Sequence, residues 1–352
     1  MMRVGVVGFG LGGRVLHAPV IAGVEGMELA AVVERSTNLA AERYPGITVY
    51  RSLDTMLTDN TLDLIVITTP TASHYELARQ VLTAGKHLVV DKPVCIHSRE
   101  VAELTALAHS RQRLFVPYHN RRWDADFRTV ERLLQQGTLG RVVAFHSAMD
   151  RWRPGSTRTP WKDDSAAGGG KLYDLGSHLI YQALVLFGLP EAVGAETVRE
   201  RDGEGADDAF TVRLHYPGLT ATLEATNVAA IERPRFYVRG LRGTYRKHGV
   251  EPQEEALQRV TRAAGPEWGR EPEKEWGELT LDVEGKLTSS RVEPLPGDYR
   301  IFYAGVRDAL LGKAAPPVPA LEAWRTIRIL ELAVEASRAR RIVACDWSAE
   351  PV

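Results

Sequence analysis

The chain has 352 residues, enough for about two domains, each with its own core. Lys plus Arg number 44 against 45 for Asp plus Glu, so no basic surplus exists to follow a phosphate backbone, which argues against a nucleic-acid partner. Two cysteines, Cys95 and Cys345, make no disulfide framework, no apolar run nears the ~20 residues that cross a bilayer, and Met1-Met2-Arg3 runs straight into a strand; together these predict a soluble, cytoplasmic protein.

Arg3 to Val7 reads as a buried strand, and Gly8, Gly10 and Gly13 follow it at G-x-G-x-x-G spacing, with Phe9, Leu11 and Gly12 completing the turn. The first glycine permits a tight turn, the second lets backbone approach a pyrophosphate, and the third lets the next helix pack on the strand. The phosphates would sit on amides at the positive end of that helix. By itself the spacing is equally that of a plain glycine-rich strand-to-helix turn. A second strand, Leu29 to Val33, ends in Glu34, 21 residues beyond Gly13, where a carboxylate can accept from the adenosine ribose hydroxyls.

Asn38 to Arg43 is a short helix, Thr48 to Tyr50 a short strand, and Leu53 to Leu57 helical. Leu62 to Thr68 is apolar and β-branched, a buried parallel strand, and it ends in Thr68-Thr69-Pro70 at the sheet edge where ligands bind in open α/β sheets. A helix from His74 to Ala84 stops at Gly85. A fourth strand, His87 to Val90, ends in Asp91-Lys92-Pro93. Ser98 caps a helix reaching Ser110, and a further strand, Leu114 to Tyr118, ends in His119-Asn120-Arg121-Arg122-Trp123. Strands alternate with helices at the pace of right-handed βαβ units, which predicts a doubly wound dinucleotide-binding domain over residues 1–122.

Residues 123–352 change pattern. A helix from Ala125 to Gln136 precedes strands at Arg141–Ser147, Ala192–Arg199, Ala209–His215, Ala221–Thr226 and Phe236–Gly240, whose alternation suits an antiparallel sheet with one solvated face. Between the first two lies one helix, Lys171 to Phe187, behind Gly168-Gly169-Gly170. The expectation is an α+β domain with one large, mostly antiparallel sheet and helices on one side. Glu251 to Gly277 is dense in Glu, Arg, Pro and Gly and reads as a solvated surface excursion, with a substrate lid as the alternative. Leu321 to Arg340 forms a last helix.

Two groups could carry chemistry. Lys92 follows a strand at the same sheet edge as the glycine turn, with Pro93 holding it extended; from position alone it is equally a surface lysine. Asp174 and His178 are four residues apart on one helix, sharing a face that Tyr181 and Gln182 continue. A carboxylate that steadies an imidazole is a general acid/base arrangement, and also a common structural pair. The histidines at 17, 74, 97, 109, 119 and 146 fall outside zinc spacings, so no metal is expected, and no G-x-S-x-G is present.

The order of these features resembles the glucose–fructose oxidoreductase, inositol 2-dehydrogenase and MocA family: the glycine turn at 8 to 13, Thr68-Thr69-Pro70, Asp91-Lys92-Pro93, and Gly169-Gly170-x-x-x-Asp174-x-x-x-His178. Tyr118-His119-Asn120-Arg121-Arg122-Trp123-Asp124 and Tyr173 to His178 look most like its scyllo-inositol 2-dehydrogenase branch. The resemblance implies Lys92, Asp174 and His178 as the catalytic set, with Asp91 where the family usually has Glu. It implies cofactor contacts at Gly8, Phe9, Gly10, Leu11, Gly12, Gly13, Glu34, Arg35, Ser36, Thr68, Thr69, Pro70, His74, Asp91, Lys92 and Asn120. Candidate substrate contacts are Asn120, Arg121, Arg151, Trp161 and Tyr299, each of which could equally be surface or packing. Glu34 would repel a 2′-phosphate while Arg35 and Ser36 could accommodate one, so NAD is slightly favoured over NADP. The implied function is hydride transfer between NAD(P) and a secondary hydroxyl of a cyclitol or sugar. The alternatives are a glycosidase acting by transient oxidation and elimination, or a cofactor-binding regulator. A homodimer or homotetramer through the second domain's sheet is expected.

Overall fold

The computed structural model describes residues 1–155, 164 and 167–351. The amino-terminal apolar runs form β1 (Met2–Val7), β2 (Met27–Val33), β3 (Thr48–Tyr50), β4 (Leu64–Ile67), β5 (His87–Val90) and β6 (Phe115–Pro117). They pair in the order β3-β2-β1-β4-β5-β6, parallel throughout. β4 is buried at every residue, as a strand with helices on both faces must be. The strand order reverses direction between β1 and β4, the place where such sheets open a crevice at their carboxyl ends.

Between the strands run α1 (Ala18–Gly23), α2 (Leu39–Arg43), α3 (Leu53–Leu57), α4 (His74–Thr83) and α5 (Ser98–Ser110). A π-helical turn, Gly12–His17, leads into α1. Gly85 has φ of 74°, so the predicted glycine stop after α4 is in place. α5 is capped one residue earlier than expected: His97 is the N-cap, and Glu100 reaches back to the amides of Ile96 and His97.

After α6 (Ala125–Gln135) the chain builds a nine-stranded sheet from β7 (Val142–Ala148), β8 (Ala192–Val198), β9 (Ala209–Tyr216), β10 (Leu219–Thr226), β11 (Phe236–Gly240), β12 (Gly243–Lys247), β13 (Gly277–Val283), β14 (Lys286–Val292) and β15 (Val343–Ala344). Its order is β14-β13-β12-β11-β7-β10-β9-β8-β15, antiparallel except where β10 runs parallel to β7. Phe145, Val212, Leu214, Leu223, Phe236 and Val238 are buried, while Arg213 and Arg239 alternate to the exposed side. A π-helical turn, Leu172–Gly176, continues as α7 (Ser177–Phe187), and Phe187 meets the ring of Phe145 edge-on. The remaining helices are α8 (Gln253–Arg259), α9 (Arg300–Leu310) and α10 (Ala320–Ala339). Among the described residues no helix is long and apolar enough to cross a membrane.

The two compact units are not continuous in sequence. The first joins Met1–Trp123 to Pro252–Trp268 and Asp298–Trp324, and the second takes the rest. The expected boundary after residue 122 falls within one residue of the first break, but the carboxyl-terminal part returns twice to the first unit. The segment read as a solvated excursion, 251–277, is therefore structural. Leu257 and Ala263 are fully buried, Trp268 Nε1 donates to Gln253 Oε1 at 2.9 Å, and the Ala263 amide donates to the Pro19 carbonyl at 2.9 Å. In the second unit, Glu271 pairs with the buried Lys247 at 2.9 Å. Its polar composition concealed a few apolar anchors that only long-range packing reveals.

Candidate active site

The glycine turn has the geometry its spacing demands. Gly8 has φ of 95°, a left-handed conformation that side chains resist. A Cβ on Gly13 would collide with the Gly8 carbonyl oxygen, whereas one on Gly10 would meet nothing within 4 Å. The third glycine is thus needed for chain packing and the second leaves an open approach. Thr68 Oγ1 donates to the Gly8 carbonyl at 2.8 Å, so the end of β4 locks the turn. Leu11 is exposed on the open side, while Phe9 is buried edge-on against Tyr44. This cradle fits a dinucleotide pyrophosphate.

Glu34 is buried and its carboxylate is engaged within its own loop. Oε1 accepts from the Thr37 hydroxyl at 2.6 Å and Oε2 from the Ala40 amide at 2.8 Å, anchoring the start of α2. Arg51 donates to the carbonyls of Glu34 and Thr37 and to Asn38 Oδ1, holding this loop with Arg35 and Ser36 exposed. The sequence-based lean to NAD rested on Glu34 facing a ribose, and the structure gives that carboxylate other partners.

Asp91 and Lys92 leave β5 beside the cradle. A Cβ on Gly12 would stand 3.0 Å from Asp91 Oδ2, and Asp91 Oδ1 accepts from the Lys92 amide at 2.7 Å. Burial pushes the Asp91 carboxyl upward, but His17, Lys92 and His74 outweigh it and hold the pKa below the ordinary value. Three histidines surround this corner. His17 presents Nε2 to Asp91 Oδ2 at 3.6 Å. His74 presents Nε2 to the Thr69 carbonyl at 2.6 Å and Nδ1 to the Pro93 carbonyl at 2.9 Å, and burial lowers its pKa against the pull of Asp91. Its ring therefore ties the loop after β4 to the loop after Lys92, whereas the sequence set it among the cofactor contacts. His119 is pushed down to about 3 by burial, with the positive charge of Lys92 adding to the effect. Thr69 is held by Ser73, whose hydroxyl donates to Thr69 Oγ1 at 2.7 Å, and Pro70 is exposed.

In the second unit, Asp174 lies within the π-helical turn and His178, almost fully buried, in the first turn of α7. The predicted single helix is continuous, but its start is wider, a distortion frequent where function needs a helix re-aimed. Asp207 supports that start. Its Oδ2 accepts from the Leu172 amide at 2.8 Å, a side chain on Gly170 would run into it, and burial pushes its pKa up to about 6. Gln182 Oε1, further along α7, accepts from Arg235 Nη2 at 2.7 Å. Sequence reading passed over Asp207, although the Asp207-Asp208 pair before a strand was a visible signal; it also passed over His17 and His119, counted there only as scattered histidines.

The remaining candidates divide. Asn120 and Arg121 are buried in the turn after β6, and Arg121 pairs with Glu254 of α8 at 3.0 Å. Arg151 is partly exposed and donates to the Asp150 carbonyl at 3.1 Å. Tyr299 is buried at the N-cap of α9, its amide donating to Gln253 Oε1 at 2.9 Å. Trp161 lies outside the described residues.

Residues 2–119 match the model of the oxidoreductase family with an NAD-binding Rossmann fold, and residues 127–246 that of the GFO/IDH/MocA C-terminal domain. The chain is 40% identical over 343 residues to YdgJ, an uncharacterized oxidoreductase of Escherichia coli K12, covering 96% of this chain and 97% of that protein. It is 31% identical over 345 residues to the scyllo-inositol 2-dehydrogenase (NADP(+)) IolW of Bacillus subtilis, covering 98% and 96%. A solved oxidoreductase structure from Yersinia pestis superposes with a TM-score of 0.93 at 39% identity, covering 98% of this chain and 97% of that one. With both domain types in order and relatives aligned end to end, the chain belongs to the Gfo/Idh/MocA family and is an oxidoreductase with a nicotinamide dinucleotide-binding Rossmann domain.

Proposed function

We propose that the protein is an NADP-dependent dehydrogenase acting on a secondary hydroxyl of a cyclitol or sugar, in the manner of scyllo-inositol 2-dehydrogenase. The observation that carries the reading is the placement of Lys92. It follows β5 at the edge that holds the glycine cradle, and the carboxylate beside it packs against Gly12. A lysine that leaves the strand edge beside a dinucleotide cradle suits an oxygen that gains negative charge during hydride transfer. When bound, the cofactor supplies the hydride acceptor or donor. The glycine turn from Gly8 to Gly13 would hold its pyrophosphate. The exposed Arg35 and Ser36, on a loop braced by Arg51, would take a 2′-phosphate, because Glu34 is already engaged.

In this reading Lys92 donates a hydrogen bond to the hydroxyl oxygen as it becomes a carbonyl. His178 takes the hydroxyl proton, and Asp174 steadies the resulting imidazolium. In reverse His178 returns the proton. A 31% identical relative named for scyllo-inositol and NADP supports the substrate class and the cofactor.

A panel of inositol isomers and aldoses, scored by absorbance of reduced cofactor with NAD and NADP in parallel, tests the substrate class. Lys92→Ala and His178→Ala should each lower turnover by roughly a hundredfold or more while NADPH affinity stays near that of the parent. Arg35→Ala should weaken NADPH by about tenfold and leave NADH unchanged. Ordinary turnover in both Lys92→Ala and His178→Ala overturns the catalytic assignment.

A further inference from the structure

His17 has no part in the roles given above, yet it is buried beside the cradle. It closes the π-helical turn that begins at the cradle glycines, is wholly inaccessible, and its ring lies 3.9 Å from that of Tyr118, centroid to centroid. Nδ1 is 2.6 Å from the hydroxyl of Tyr303, on α9. Nε2 has no hydrogen-bond partner, and Asp91 Oδ2 stands 3.6 Å away, just past hydrogen-bond length. Tyr303 is equally buried and meets Tyr118 and Phe302 through its ring.

We infer that His17, oriented by Tyr303, is a positioning residue for Lys92, acting through Asp91. A carboxylate only accepts, so the nitrogen facing Asp91 must carry the proton. A neutral ring then has its lone pair on Nδ1, and the Tyr303 hydroxyl must donate to it. One tautomer thus suits all three groups, taking the Tyr303 hydrogen bond on Nδ1 and turning an N–H toward Asp91. The logic is that of an aspartate–histidine pair in which a second-rank partner fixes which nitrogen is protonated. Asp91, turned toward His17 through Oδ2, accepts the Lys92 amide on Oδ1 at 2.7 Å. The backbone from which the lysine side chain projects is fixed from below by a chain that starts at α9. The 3.6 Å gap needs only a small closure to become a hydrogen bond, and such bonds in ligand-free enzymes tighten when the site is loaded.

The inference rests on the reading of Lys92 as the donor to the reacting oxygen, so its test has one arm independent of turnover. The full chain, labelled with nitrogen-15 in its histidine rings, is studied by long-range proton–nitrogen correlation, and the His17 signals are assigned by their loss in His17→Gln. The wild type should show His17 protonated on Nε2 and bare on Nδ1. Tyr303→Phe should shift the Nδ1 resonance as its donor disappears. A ring protonated on Nδ1, or one indifferent to Tyr303→Phe, overturns the inference whatever Lys92 does. In the second arm, folded Tyr303→Phe and His17→Gln should lose about ten- to a hundredfold in kcat, with the KM for cofactor little changed, as expected for a misplaced group. Unchanged kcat in both, with a lowered melting temperature only, marks a packing role and also overturns it. If Lys92→Ala keeps full turnover while the Nε2 tautomer is present, the functional reading has failed and the His17 arrangement stands.

Discussion

His119 shows how a single buried group writes itself into the pH dependence of the protein. Its pKa in the folded chain is about 3, because burial and the nearby Lys92 both disfavour the imidazolium, against 6.5 for a free side chain. Between those values the unfolded chain binds a proton that the native state refuses. Stability is therefore complete above pH 6.5 and falls as the pH drops below it. The loss is about 1.4 kcal/mol per pH unit, or roughly 2 kcal/mol by pH 5. Urea midpoints measured from pH 7.5 to 5 should fall steeply for the wild type and less steeply for His119→Asn; parallel slopes would refute the assignment. At this scale the sequence was half legible. Lys92 and Asp91 could be found from their place after a strand, but the histidines around them come from three distant segments, at residues 17, 74 and 119. Glu34 was read only in part for a related reason. Its distance from the glycine turn suits a ribose, yet its hydrogen bonds to Thr37 and Ala40 depend on how a short loop closes.

The glycine turn separates folding from binding at the level of one element. Gly13→Ala drives a methyl into the Gly8 carbonyl, and Gly8, at φ of 95°, has little freedom to yield. That variant should lose about 1–3 kcal/mol of stability, the usual cost of overpacking. Gly10→Ala meets no atom within 4 Å, so its melting temperature should match the wild type while NADPH affinity falls, because in the proposed binding mode the methyl stands in the open approach to the pyrophosphate. Paired thermal melts and cofactor-fluorescence titrations check both, and equal effects of the two substitutions on both readouts would contradict the cradle. Elements were the most legible scale. β4 was found because Leu64 to Ile67 is apolar on both faces, and the sheet of the second unit because its strands alternate. The hairpin of β13 and β14 escaped because β14 is exposed over six of its seven residues and carries no hydrophobic pattern to read.

At the level of the whole chain, the discontinuous first unit makes a sharp prediction. Phe302 and Tyr303 of α9 are fully buried against Tyr118 and Trp123, and Leu257 of α8 is buried in the same unit. A fragment ending at residue 123 loses these side chains, each worth roughly 1.5–3 kcal/mol of burial. It should therefore lack a cooperative thermal transition and near-ultraviolet aromatic signal, although it contains every strand of the parallel sheet. A fragment that melts cooperatively would show the returning segments to be dispensable. The sequence by itself determined the two domain types, the strand-to-helix rhythm and the glycine cradle, because those follow from local periodicity, turn chemistry and spacing. Only the tertiary structure decided that 252–268 and 298–324 complete the first unit, that Glu34 serves its own loop, and that Tyr303, His17 and Asp91 form a line. Such pairings join residues up to 286 positions apart. No local pattern encodes them; they arise when apolar surface from distant segments is buried together and the polar groups carried with it must find partners.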